Sequence, residues 1–206
     1  INGTLGNGTA TASIVAGPGG FVGSPTCSYT GGAATASCQV TITSAVTGTT
    51  KVHAASTISV DGQSVVHETE TAANTTLCMA AGAAPCDDAS KKWVDAWIEI
   101  NPPTDTNAVN NNHVLTITVH AVNGTLGSGV AAAAIVSGPG TFVGPNTCNY
   151  TGGAATASCQ VTITSAVTGT SKVHASSDIP VDAQTVHRET ETAANDRLSL
   201  WIAFDY

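Results

Sequence analysis

Apolar and polar residues alternate with a period of two along several short stretches of this chain. Leu115, Ile117, Val119 and Ala121 alternate with Thr116, Thr118 and His120. Cys159, Val161 and Ile163 alternate with Gln160, Thr162 and Thr164, and Val173 and Ala175 with Lys172, His174 and Ser176. Val94, Ala96, Ile98 and Ile100 alternate with Trp93, Asp95, Trp97 and Glu99. A period of two sends successive side chains to opposite faces, so each stretch predicts a strand with one buried and one wet face. Gly138-Pro139-Gly140, Gly152-Gly153, Gly169 and Asn101-Pro102-Pro103 separate them as turns. No stretch carries a convincing amphipathic helical period. About seven such strands in roughly 120 residues predict an all-β antiparallel sandwich.

The pattern occurs twice. Residues 2–74 align without a gap on residues 123–195, at an offset of 121, and 56 of the 73 positions are identical. Lys91–Val122 precedes the second copy and has no counterpart before the first. The first copy therefore lacks strands matching Trp93–Ile100 and His113–Ala121, and the chain reads as processed or excerpted from a longer precursor. Three parts are expected: an incomplete sandwich over 1–90, a complete one over 91–195, and a C-terminal strand over 196–206.

The segment GGAATASCQVTITSAVTGTSKVHASSDI (152–179), with HVLTITVHAV and AAAAIVSGPGTF upstream of it, carries a resemblance. It resembles bacterial immunoglobulin-like repeats of the invasin and intimin type. Those repeats have a Val- and Thr-rich strand, then Thr-Ser, a short turn ending in Gly, and a strand ending in Ala. The resemblance implies tandem immunoglobulin-like sandwiches on a cell surface. A buried Trp between inter-sheet cysteines, the mark of antibody-type domains, is absent.

Charge and cysteine content narrow the class. Charged residues are 10% of the chain and the formal net charge is -8. So acidic a chain lacks the basic footprint of non-specific nucleic-acid binding. No run approaches the ~18 apolar residues of a membrane helix. Six cysteines fall into three local pairs by spacing, Cys27/Cys38, Cys78/Cys86 and Cys148/Cys159, the first and last being equivalent repeat positions. No Cys-x2-Cys spacing or His cluster suggests a metal, so the pairs predict disulfides and an oxidising, extracytoplasmic compartment. Cys148–Cys159 is expected to lock neighbouring strands. Asn-x-Ser/Thr acceptor sequences stand at Asn2, Asn7, Asn74, Asn123 and Asn149.

No catalytic, cofactor or metal site is expected. His53, His120 and His174 alternate outward, and His67 aligns with Arg188, so that position does not need an imidazole. Glu68/Glu70 and Glu189/Glu191 stand two apart and read as one charged strand face that discourages edge pairing. Trp93 and Trp97 read as sharing one face of a strand, with Trp97 equivalent to Trp201; exposed aromatic pairs mark contacts with a subunit or ligand.

The expected function is structural, a repeat unit of an extracellular filament, stalk or adhesin. The alternatives are a glycan- or protein-binding module and an accessory domain of a secreted enzyme. The tail alternates Leu198, Leu200, Ile202 and Phe204 on one face, with Trp201 between them, and matches Val94–Ile100. It is expected to complete the deficient sandwich of a neighbouring copy by strand addition, which builds a head-to-tail filament. Leu198, Leu200, Trp201, Ile202, Phe204, Trp93 and Trp97 are the candidate interface.

Overall fold

The computed structural model describes residues 3–81 and 86–192. The chain is all-β, and it divides into two units at Trp93/Val94. The first holds β1 (Gly8–Ala16), β2 (Gly20–Val22), β3 (Thr26–Tyr29), β4 (Thr41–Thr43), β5 (Gly48–Val60), β6 (Gln63–Glu68), α1 (Ala72–Ala80) and β7 (Ala89–Trp93). The second holds β8 (Asp95–Asn101), β9 (His113–Val122), β10 (Gly129–Ser137), β11 (Thr141–Phe142), β12 (Thr147–Tyr150), β13 (Thr156–Thr164), β14 (Lys172–Val181) and β15 (Gln184–Glu189).

The second unit is an antiparallel sandwich, as the alternation predicts, and of the immunoglobulin-like kind that the resemblance implies. One sheet has the order β12-β10-β14-β15 and the other β11-β13-β9-β8, all pairs antiparallel. Their inner faces meet in one core. Ala96, Ile98, Leu115, Ile117, Val119 and Val161 come from one sheet, and Ala131, Ala133, Tyr150, Ala175, Ile179 and Val181 from the other. Ala positions on β10 and β14 face Ile, Leu and Val on β9 and β8, so large side chains fill the room that small ones leave.

The first unit keeps only part of this plan. Its main sheet has the order β3-β1-β5-β6, with β7 also pairing with β5, and the second sheet is reduced to β2-β4. Among the described residues, no strand of this unit stands where β8 and β9 stand in the second unit. β7 belongs here, pairing Gly48–Val52 of β5 with Trp93–Ala89. The strand expected from Trp93 to Ile100 is thus two strands, broken at Val94.

One helix was not anticipated. α1 buries none of its residues, in keeping with its lack of an amphipathic period. Thr71 caps it, its hydroxyl accepting from the Asn74 backbone N–H at 3.4 Å, and Cys78–Cys86 ties its last turn to the segment before β7. Among the described residues, no helix is long and apolar enough to cross a membrane.

The hairpin turns show a local difference between the copies. Asp61-Gly62 joins β5 to β6 with both residues at positive φ, 48° and 78°. In the second copy Asp182-Ala183 makes the same turn at 45° and 64°, so a Cβ-bearing residue sits in the left-handed region.

Candidate functional site

The two copies share nearly all of their sequence but bury it differently. In the second unit Leu126 and Tyr150 are 2% and 3% exposed, and Ala131, Ala175 and Ile179 are each 0% exposed. Their equivalents Leu5, Tyr29, Ala10 and Ile58 are only half-buried, and Ala54 is exposed. These side chains line an open groove of about 380 Å³, with Ala36, Cys38 and Val40 as its other wall. The groove is the core face that β9 and β8 cover in the second unit.

The same cause separates the secondary structure of two identical segments. TASCQVTIT runs through Thr35–Thr43 and again through Thr156–Thr164. The second occurrence is strand β13 throughout, paired over Thr156–Ile163 with β9. In the first occurrence only Thr41–Thr43 is strand, paired with β2, and residues 35–40 belong to none. Propensity is equal in the two, so the neighbouring strand decides the outcome.

All three disulfides form as the spacing predicts. Their role differs from the expectation in one respect. Cys148 lies on β12 and Cys159 on β13, which belong to opposite sheets, so the bond staples the sandwich across its core instead of joining neighbours in one sheet. In the first unit Cys27 on β3 holds Cys38 at a Cα separation of 5.7 Å, close to the 5.6 Å of its counterpart. The unpaired segment 35–40 is therefore pinned over the groove even without a ladder. Three disulfides belong in an oxidising environment.

The charged residues form local clamps. Asp88, with a side chain 3% exposed, lies 2.9 Å from His53 Nδ1 and accepts a hydrogen bond from the Thr69 hydroxyl. That hydroxyl holds its carboxyl below the usual carboxylate range, helped by His53 and opposed by burial. Lys51 lies 2.5 Å from Glu70 and 3.7 Å from Asp88, and the Glu70 contact raises its pKa. Glu68 lies 3.6 Å from His53 Nε2. Thr69 and Asp88 address the same ring nitrogen, so the groups close a triangle instead of a relay toward a nucleophile. The clamp fastens the segment before β7 to β5.

The second unit repeats it in part. Lys172 lies 2.8 Å from Glu191, and His174 lies 3.7 Å from Glu189 and 3.2 Å from Thr190. The glutamates do not share a strand face as expected. β6 and β15 end at Glu68 and Glu189, and Glu70 and Glu191 follow in turns at φ 62° and 64°, each reaching a different cation. Among the described residues no group of His, Cys, Asp and Glu is arranged to hold a metal ion.

The tryptophans separate. Trp93 donates from Nε1 to the Thr50 hydroxyl at 2.7 Å inside the first unit, with Lys91 over its ring. Trp97 lies in the second unit, stacked flat on His120 with ring centroids 3.6 Å apart. They do not share one strand as expected: Trp93 ends β7 and Trp97 lies on β8, in different units. Asn7, Asn123 and Asn149 are exposed, while Asn74 is half-buried in α1. Asn2 and the tail residues Leu198, Leu200, Trp201, Ile202 and Phe204 lie outside the described residues.

Sequence reasoning passed over Arg188. Its Nε donates to the Ala96 carbonyl at 2.8 Å and its Nη2 to the Asp95 carboxylate, gripping β8. The signal was present in the alignment. Among the described residues the first unit has no strand in β8's place, and there the position is His67. No protein-family model matches the chain, and no curated protein matches it.

Proposed function

We propose that the chain is a structural repeat unit of an extracellular filament, stalk or adhesin, and that copies join head to tail by β-strand complementation. The observation that carries this reading is the open groove of the first unit, whose wall is nearly the same sequence that the second unit buries under β9. Full burial of an aliphatic side chain contributes about 1.5–3 kcal/mol. A donor strand with three such side chains gains that on its own face and covers the acceptor's core as well. The pinned segment 35–40 has little ordering left to do when a donor arrives. Disulfides in both units suit a load-bearing part outside the cell, and the resemblance to invasin- and intimin-type repeats points to a bacterial surface.

The test is deletion of Leu198–Tyr206 in the oxidised chain, followed by electron microscopy and sedimentation. The full chain is expected to form concentration-dependent fibres and the truncated one to remain a soluble monomer. Identical fibres from the truncated chain would sink strand donation.

A second reading, a glycan-binding module, draws on the flat Trp97–His120 stack. Trp97→Ala abolishing binding on a glycan array would favour it.

A further inference from the structure

Among the described residues the first unit has no counterpart of β8 or β9, and the two places are not alike. In the second unit β9 pairs directly with β13, while β8 joins that sheet only through β9. A single strand arriving at β8's place in the first unit would find no ladder to join. A single strand at β9's place would pair along residues 35–42, whose sequence is that of 156–163. Arg188 supplies a second and independent observation. It holds β8 through Ala96 and Asp95, and the first unit has His67 there, without the guanidinium fork that spans both groups. The first unit thus offers a ladder to one strand, next to its residues 35–42, and has no counterpart of the Arg188 grip for a second.

We propose that the C-terminal segment of a second copy enters this groove antiparallel to residues 35–42, in β9's place, with Leu200, Ile202 and Phe204 standing where Leu115, Ile117 and Val119 stand in the second unit. The inference rests on the strand-exchange reading above and specifies its slot, polarity and register. It moves the tail, which matches β8 in sequence, to the position of β9. In the second unit Leu115 pairs with Val161, Ile117 with Cys159 and Val119 with Ala157. The corresponding acceptor residues are Val40, Cys38 and Ala36, all on the groove wall. In this register Leu198 meets Ile42, and the largest donor side chain, Phe204, meets the smallest acceptor, Ala36. A slip of two residues toward the Ala36 end carries Phe204 past Ala36 and leaves Ile42 without an apolar partner; a slip of one turns every apolar side chain to solvent. Ser199, Trp201 and Ala203 then face outward, opposite Thr41, Gln39 and Ser37.

Disulfide trapping on the full chain tests the register. Chains carrying Thr41→Cys are mixed with chains carrying Ser199→Cys, and Gln39→Cys with Ser199→Cys serves as the slipped control. The first pair is expected to form a covalent dimer at least ~10-fold faster than the control, since directly opposed Cβ atoms stand closest. Equal or faster trapping of the control overturns the register. Hydrogen exchange on the unmodified chain gives a readout free of new cysteines. Amides between Ser37 and Thr41 are expected to slow by at least ~10-fold on assembly. Tail-dependent fibres in which those amides stay unprotected overturn the β9 placement and leave the filament reading standing. Fibres that form without the tail overturn both.

Discussion

Asp88 is the residue on which the end of the first unit turns. Its carboxylate is buried against Thr69 and His53 and lies 3.7 Å from Lys51, so three segments of chain meet at one charge. Its pKa is depressed in the folded chain, first by the Thr69 hydroxyl. A depressed carboxyl contributes stability that is present above its unfolded pKa and is lost as the pH falls through the folded one. Asp88→Asn is therefore expected to lower the melting temperature at about pH 6, and the gap to the parent chain should close toward about pH 2, where the parent has lost the same charge. An unchanged gap in a thermal melt at the lower pH would remove the charge from the account. Little of this was legible beforehand. The alternation puts His53 on the polar face of a strand, but its partner Asp88 is 35 residues away. No period in a sequence announces a contact made through a loop.

At the scale of the element, strands were legible where both faces had a partner and not where one was missing. Alternation located β9, β13 and β14 because burial on one face writes the period into the residues. The same alternation is present in Thr35–Val40, yet no strand forms there, because a ladder needs a neighbour as well as a pattern. The complementary case is Trp93 and Trp97: the alternation continues through Val94 although the chain passes there from one sheet to another. α1 left no period to find, since it buries nothing. The turns offer a clean comparison between the copies. Ala183 sits at φ 64°, where the first copy has Gly62 at 78°. Ala183→Gly is expected to stabilise the second unit by about 1 kcal/mol, through relief of the left-handed conformation. Chemical denaturation followed by Trp97 fluorescence measures it, and a loss of stability would mean that the Ala183 methyl makes up for its backbone cost.

For the whole molecule, the duplication provides its own control. Ile58 and Ile179 are equivalent residues, one beside an open groove and one fully buried. Ile179→Ala is expected to cost about 2–5 kcal/mol of unfolding free energy, as buried truncations do. Ile58→Ala should cost a dispersed chain under about 1 kcal/mol and raise the concentration needed for assembly, because its contacts await a donor. Equal losses in the dispersed chain would mean that the groove is already closed. The connection between β7 and β8 has a consequence for folding. The β8–β9 hairpin follows the first unit directly in the sequence and has no counterpart among that unit's described residues, so a nascent chain offers it two rival homes. β7 ends at Trp93 opposite Gly48, whereas β8 begins in its own unit near Val181, whose equivalent is Val60. Gly48 and Val60 bound a 13-residue strand, about 40 Å at the rise of a β-strand. Val94 alone spans roughly 3.5 Å. While β7 is paired, the hairpin cannot fold back into the first unit in the arrangement it has in the second. The short joint thus steers the order of folding, keeping a nearly identical neighbour from capturing the wrong piece. A Gly-Ser linker of about 50 residues at Val94, with a mean reach near 40 Å, should release that restraint. Amide protection would then appear at Cys38–Val40 in dilute monomer, and its absence would show that something other than length keeps the hairpin away.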